Sequence, residues 1–342
     1  MTNIRLGLIG AGAVGVLHAR AARATPGVRV TAVCDLVEAT AHGVAEPLGA
    51  AVFTDHHALI ASGTVDAVVV NTPHALHTAI VTDCAEAGLH VLIEKPMATT
   101  SAECTVMETA CQEAGVVLFV GHIQHFLPPM AAARAALDTG AIGALLAVSD
   151  WRSTDYRHGS RPAWFFDPAV SGGGVFINIG THCVDRLLWL AGRRVLAVSA
   201  SAVHRAGALP GIETDVLARL ELEDGLVGHI GVTSTGLPAR DELMLIGERG
   251  AIRVARGSGA TLHTEDAPGA DATVLAAESD DDVPRAFADQ LAAFASAVRD
   301  GRPPAVPADH GRQVIEVIEA VYRSSATGER VELRAGLGAS AA

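Results

Sequence analysis

Paired cysteines are missing from this sequence. Cys34, Cys84, Cys104, Cys111 and Cys183 are odd in number and show no C-x-x-C spacing, which argues against a disulfide framework or a zinc knuckle and suits reduced thiols in a reducing compartment, the cytoplasm. An excess of positive charge is missing too. The net charge of -13 is spread along the chain, so a nucleic-acid backbone and an anionic membrane surface would both be repelled. No internal repeat or long low-complexity tract is present. The apolar run after Arg5 is too short to span a bilayer. It has the outline of a secretory signal, yet it carries Gly10, Gly12 and Gly15 where a mature fold needs them. A metal set is not expected: His56 and His57 are adjacent, so their side chains should diverge on a helix, no acidic or cysteine partner completes a set of ligands, and neither they nor the pairs His74/His77 and His122/His125 show zinc-ligand spacing.

What is present is a chain of 342 residues, 49% hydrophobic, long enough for two domains that each bury a core. Its first third alternates short apolar runs, Ile4 to Ile9, Val28 to Cys34, Val65 to Val70, His90 to Ile93 and Val116 to Val120, with helix-length segments. Uniformly apolar strands separated by helices predict a doubly wound parallel α/β sheet, covered on both faces. This first domain is expected over residues 1–122. After Gly121 come an Ala-rich helix, Pro129 to Leu137, and strands Leu145 to Trp151, Arg194 to Ala202, Asp215 to Leu222 and Leu226 to Ser234. A hairpin turn at Asp224-Gly225 joins the last two, and another, over Gly247 to Gly250, joins Glu242 to Ile246 with Ala251 to Ala255. The second domain, residues 123–334, is therefore expected to hold a mainly antiparallel sheet. Helices are expected near Pro284 to Arg299 and Gly311 to Ser325, an exposed, mobile stretch over Ser258 to Asp282, and a disordered tail over residues 335–342.

The run Gly10-Ala11-Gly12-Ala13-Val14-Gly15 follows a strand and opens a helix, and Asp35 ends the next strand about 20 residues on. The first two glycines let the backbone approach a pyrophosphate, the third lets helix and strand pack closely, and the helix N-terminus offers N–H groups to the anion. A carboxylate at Asp35 accepts from ribose hydroxyls and repels a 2′-phosphate, so the expected cofactor is NAD rather than NADP. Asn71-Thr72-Pro73, with His77 following, and Glu94-Lys95-Pro96 end two further strands, and so border the place where an open α/β sheet holds its dinucleotide. A lysine there can hydrogen-bond a substrate oxygen and favour the negative charge that develops on it during hydride transfer. The alternative is a surface lysine paired with Glu94.

In the second domain, Ser171-Gly172-Gly173-Gly174 leads into a helical stretch from Val175 to Asp185. Asn178 and His182 are four apart and should share a face, and a histidine there can carry the proton that leaves with each hydride. The polar loop Arg152 to Trp164 follows a strand and is a candidate substrate contact. Arg152 and Arg161 could clamp a carboxylate or phosphate, Tyr156 and Trp164 could stack on a sugar ring or border the nicotinamide, and His122 could face the nicotinamide.

Taken together, these segments resemble the glucose-fructose oxidoreductase and inositol dehydrogenase family (Gfo/Idh/MocA) to about Leu333. The resemblance rests on the glycine fingerprint, Thr72-Pro73 with His77, Glu94-Lys95-Pro96, the triple-glycine helix with His182, and the closing run Val317 to Leu333. It implies a Rossmann domain followed by an open-sheet α/β domain, Lys95 as catalytic lysine, His182 as general acid or base, and a cis peptide before Pro96. It also implies a homodimer or homotetramer joined through the second sheet, and hydride exchange between NAD and a sugar, sugar derivative or cyclitol. Oxidation coupled to elimination, cleaving a glycosidic bond, and a non-catalytic NAD and sugar sensor are the alternatives. Two departures stand out: Asn178 occupies a position where many members have aspartate, and Gly121-His122-Ile123-Gln124-His125-Phe126 replaces a segment that often carries two arginines.

Overall fold

The computed structural model describes residues 3–205, 211–236, 238–264 and 272–333. The chain begins β1 (Ile4–Ile9), α1 (Ala13–Ala24), β2 (Val28–Cys34), α2 (Glu38–Ala45), β3 (Ala51–Phe53), α3 (His56–Ala61), β4 (Ala67–Val70), α4 (His77–Glu86), β5 (His90–Glu94), α5 (Ser101–Ala114) and β6 (Leu118–Gly121). It continues through α6 (Pro128–Asp138), β7 (Leu145–Ser153), α7 (Pro168–Ser171), α8 (Thr181–Ala191), β8 (Val195–Val203), β9 (Asp215–Leu222) and β10 (Val227–Thr233). The remaining elements are β11 (Arg240–Gly247), β12 (Gly250–Ala255), β13 (Gly259–Thr264), β14 (Thr273–Ala276), α9 (Asp282–Asp300), α10 (Ala308–Thr327) and β15 (Val331–Glu332).

The first sheet is parallel, in the order β3-β2-β1-β4-β5-β6. All four residues of β4, Ala-Val-Val-Val, are buried, as a strand covered by helices on both faces requires. The edge strand β3 was not expected from the sequence. At three residues it is too short to show a hydrophobic period. The helices have ordinary ends: Thr100 and Glu103 form a capping box at the start of α5, and Gly115 closes it with φ +68°.

The chain divides into two compact units, and the division is not the single break expected at residue 122. Unit one holds Met1–Leu127 with Ser279–Gln313, and unit two holds Pro128–Glu278 with Val314–Ala342. The stripe of α9 explains the return. Phe287 meets the His18 ring of α1 edge-on at 5.0 Å, and Phe294 meets Phe119 of β6 at 6.0 Å, so the helix buries its apolar face against the parallel sheet's own layer.

In unit two a nine-stranded sheet runs β14-β13-β12-β11-β7-β10-β9-β8-β15. Every pairing is antiparallel except β7 with β10. Strands β13 and β14 correct the expectation of a mobile stretch over Ser258 to Asp282. Ala260 is fully buried and Leu262 pairs with Ile252, so backbone pairing overrides a composition poor in large apolar residues. Residues 265–271 of that stretch, and the expected tail, lie outside the described residues. The sheet's inner face meets α8, where a Cβ on Gly228 would come within 2.8 Å of Leu187. Its outer face carries Trp151, Leu217 and Arg219, and Trp151 lies flat against Gly231, where a Cβ would collide with the indole.

Ions knit the inner layer. Arg186 of α8 is 1% exposed and forks onto the buried carboxylate of Asp150 in β7 while its Nη2 lies 2.7 Å from Asp241 of β11. Asp241 also pairs with Arg152 at 3.1 Å. Removing one member of such a set leaves a buried charge uncompensated. Arg186→Met should therefore lower stability by about 3–5 kcal/mol in urea unfolding. A loss below about 1 kcal/mol, the scale of a surface pair, would show that water reaches these groups.

Candidate functional site

In unit one the glycine loop is built by backbone contact. Gly10 has φ +95°, and a Cβ there would sit 2.8 Å from the carbonyl of Asn71. A Cβ on Gly15 would sit 2.4 Å from the Gly10 oxygen. Both positions therefore exclude any side chain. Gly12 differs: a Cβ there meets nothing within 4 Å, and Gly12, Ala13 and Val14 are exposed at the head of α1. This is an open cradle lined by backbone N–H groups, the form a pyrophosphate needs. Asp35 is held beside it, since Oδ2 accepts from the Ala11 N–H and Oδ1 from the Val37 N–H, both at 2.9 Å. Two oriented oxygens are thus presented for ribose hydroxyls, and the residues that follow, Leu36 and Val37, are exposed and uncharged, which leaves a 2′-phosphate no partner there.

The ends of β4 and β5 are tied together by His77, which is wholly buried. Its Nε2 lies 2.9 Å from the Thr72 carbonyl and its Nδ1 3.1 Å from that of Met97. Burial pushes its pKa down, against these two acceptors. This corrects the reading of His77 as a cofactor contact: it positions Thr72, Pro73 and the segment after Pro96 without reaching the surface. Asn71 donates to the Gly10 oxygen at 3.3 Å, binding the same loops. Lys95 and Pro96 are joined by a cis peptide. Glu94 is turned inward, with Oε1 2.8 Å from His18 Nε2 and Oε2 accepting the Lys95 backbone N–H at 3.2 Å. One signal in the sequence points to Lys95 more sharply than its motif does: it is the only lysine of the chain, and the other 24 of its 25 basic residues are arginine.

His122 is fully buried, against the expectation that it faces the nicotinamide. Its ring packs with those of His125 at 6.4 Å and His310 at 5.7 Å, and His310, on α10, was not expected. His56 and His57, expected to diverge, instead lie tilted against each other with ring centres 4.0 Å apart.

In unit two the triple glycine leads not into α-helix but into a π-helical turn, Phe176–Gly180, that continues as α8. Such turns are rare and often mark functional positions. Asn178 and His182 are both buried, at 2% and 9% exposure. The head of the turn is held by Glu213, 3% exposed, which accepts from the Gly174 and Phe176 N–H groups at 2.8 Å each and from the Tyr322 hydroxyl at 2.9 Å. Tyr322 in turn accepts from the Ile177 N–H at 3.2 Å. Burial pushes the Glu213 carboxyl above the usual range, although these donors oppose it. The glycines make the approach possible, since a Cβ on Gly174 would overlap Glu213 and one on Gly173 the Tyr322 hydroxyl. Nothing local in the sequence marks Glu213 or Tyr322, which lie far along the chain from the turn they hold.

Asn178 Nδ2 donates to the Gly174 carbonyl at 2.8 Å and to the Tyr156 hydroxyl at 2.9 Å, while that hydroxyl donates to the Phe165 carbonyl at 2.9 Å. The Gly174 oxygen can only accept, which settles the orientation of the amide. Both amide hydrogens are spent inside the fold. Tyr156, 1% exposed, is therefore a support for Asn178 and does not stack on a ligand. Arg152 is drawn into the ion set with Asp241, so it does not supply a clamp of its own. Arg161 lies over the Tyr156 ring at 5.1 Å, and burial pushes its pKa down. Trp164 stacks on Phe165 at 3.9 Å.

Comparison with known proteins agrees with this geometry. Residues 4–122 match the model of an oxidoreductase family with an NAD-binding Rossmann fold, and residues 130–253 match the GFO/IDH/MocA C-terminal domain. Inositol 2-dehydrogenase 2 of Saccharopolyspora erythraea is 31% identical over 95% of this chain and 94% of its own. The scyllo-inositol 2-dehydrogenase (NAD(+)) of Bacillus subtilis is 27% identical over 97% of this chain and 96% of its own. Among solved structures, GenD2 from gentamicin A biosynthesis, in complex with NAD, superposes with a TM-score of 0.87 at 29% identity, covering 98% of this chain and 97% of its own. The likeness runs along nearly the whole length, and the chain belongs to the Gfo/Idh/MocA family of NAD-binding oxidoreductases.

Proposed function

We propose that this chain is a dehydrogenase that oxidises, or in reverse regenerates, one secondary alcohol of a sugar, sugar derivative or cyclitol. The observation that carries the reading is Lys95: a single lysine in 342 residues, placed where β5 ends in the sheet that bears the cradle. Charge alone does not account for it, because this chain uses arginine for every other basic position. An ammonium is a compact charge on a flexible stem, suited to an oxygen whose negative charge grows during reaction.

The cradle residues Gly10, Gly12, Ala13, Val14, Gly15 and Asp35, with Asn71, Thr72 and Pro73, are the ones that would hold NAD, which when bound supplies the hydride acceptor. Lys95 steadies the substrate oxygen. His182 takes up the alcohol proton, the task of a group able to change charge near neutral pH. We assign Asn178, four residues before His182, to the substrate side of the site. Arg161 adds a positive charge on the polar loop. The named relatives act on inositols, and a neutral side chain such as Asn178 suits a polyhydroxylated, uncharged ligand. Five buried cysteines, none in a disulfide, support a reducing compartment, the cytoplasm. Copies of the chain associate through the outer face of the nine-stranded sheet, where Leu217 is 56% exposed beside Trp151, a cost that burial in a partner would remove.

Lys95→Met should keep NAD affinity while cutting turnover at least about 100-fold, read by NADH absorbance across inositols and aldoses. Normal turnover would refute the role. Asn178→Asp should be harmful rather than conservative, because one carboxyl oxygen would face the Gly174 carbonyl and the Tyr156 oxygen, whose proton is already given away. The new carboxyl would fit only when protonated, so its folded pKa is raised. The stability deficit relative to the parent should then be small in acid, open as pH rises past the unfolded carboxyl value of about 3.9, and level off above the folded one. A pH-independent difference in urea stability would contradict this network. Leu217→Glu should lower the mass measured by light scattering to that of a monomer; an unchanged mass would rule out this face.

A further inference from the structure

We propose a second site in unit one: a surface clip for a single divalent transition-metal ion, formed by Asp55, His56 and His57 with Asp83 behind them. Asp55 caps α3, its Oδ1 accepting from the His57 N–H at 3.3 Å and its Oδ2 from the Ala58 N–H at 3.0 Å, so its carboxylate is held in a set direction. Asp83, on α4, receives His56 Nε2 at 2.8 Å and lies 3.6 Å from His57 Nδ1. That contact decides the state of the His56 ring. With Nε2–H given to a carboxylate, the neutral imidazole carries its lone pair on Nδ1.

Nδ1 of His56 lies 3.9 Å from Asp55 Oδ1. Two acceptors thus face one another across a gap too long for a proton to bridge as a hydrogen bond, yet shorter than twice a metal–ligand bond of about 2.1 Å. A ring nitrogen of His57 completes the set: one ligand atom from each of Asp55, His56 and His57 lies within 4.8 Å of the others. A carboxylate behind a ligating histidine is the usual device that fixes tautomer and ring direction at metal sites, and Asp83 stands in that place. Nitrogen-rich ligation selects zinc, cobalt or nickel over magnesium or calcium. Two carboxylates balance the charge of the dication. The ion would fasten α3 to α4 at the carboxyl end of β3, and the expectation of diverging histidines fails because Asp83, unseen in the local sequence, attracts both rings.

The test uses the untagged full chain, freed of metal and titrated with zinc or cobalt chloride alone. Zinc should slow ethoxycarbonylation of the peptide carrying His56 and His57, read by mass spectrometry, and should raise Tm, as any ligand of the native state does. His57→Ala, at a side chain 65% exposed, leaves the fold undisturbed and should weaken cobalt binding at least about 10-fold; Asp83→Asn should weaken it by about 10-fold as well. Equal modification of that peptide with and without zinc would overturn the proposal. So would protection confined to the peptides of His122, His125 and His310, or unchanged affinity in His57→Ala. None of these readouts depends on catalytic activity, so they stand apart from the dehydrogenase reading.

Discussion

A carboxylate almost out of reach of water, that of Glu213, holds the polar turn of unit two. The first N–H groups of a helix have no partner within it, and leaving one buried and unsatisfied costs about 1–3 kcal/mol. Here the helix begins in the interior, so water cannot serve. Glu213 takes two of these N–H groups and Tyr322 a third. With its head fixed in this way, the turn can be π-helical at Asn178, and the triple glycine is the condition for the carboxylate to come so near.

The same economy governs Asn178. Its amide is oriented by a backbone carbonyl and by a phenol that has already given its proton to another carbonyl. A chain of donors and acceptors running in one direction admits an amide and refuses an ionised carboxyl. The departure from the aspartate that the family resemblance leads one to expect is therefore built into residues around it, Tyr156 and Phe165.

Unit one reaches its precision by backbone contact. Gly10 and Gly15 bring three pieces of main chain together, and His77 fastens the loops that follow β4 and β5 from beneath. The open space over Gly12 is the complement of that crowding: side chains are excluded on one side so that a phosphate-bearing ligand can reach backbone N–H groups on the other. Helix α9, returning over α1 and β6 through Phe287 and Phe294, completes this layer.

The amino-acid sequence alone determined the doubly wound sheet, the glycine loop with Asp35, the strand ends at Thr72 and Lys95, and the helix bearing Asn178 and His182. Each of these is written locally, in periodicity, in glycine spacing or in a motif at a strand's end. Tertiary structure alone decided the return of α9 to the first unit, the pairing of β13 and β14, the burial of His77, His122 and Tyr156, and the grouping of Glu213 and Tyr322 on a turn far from both in the chain. It also decided that Arg152 serves an ion set and that His56 and His57 converge on Asp83. The reason is physical: hydrogen bonds and ion pairs between distant segments depend on which groups folding removes from water, and a linear pattern records the residues without recording who will be left to satisfy them.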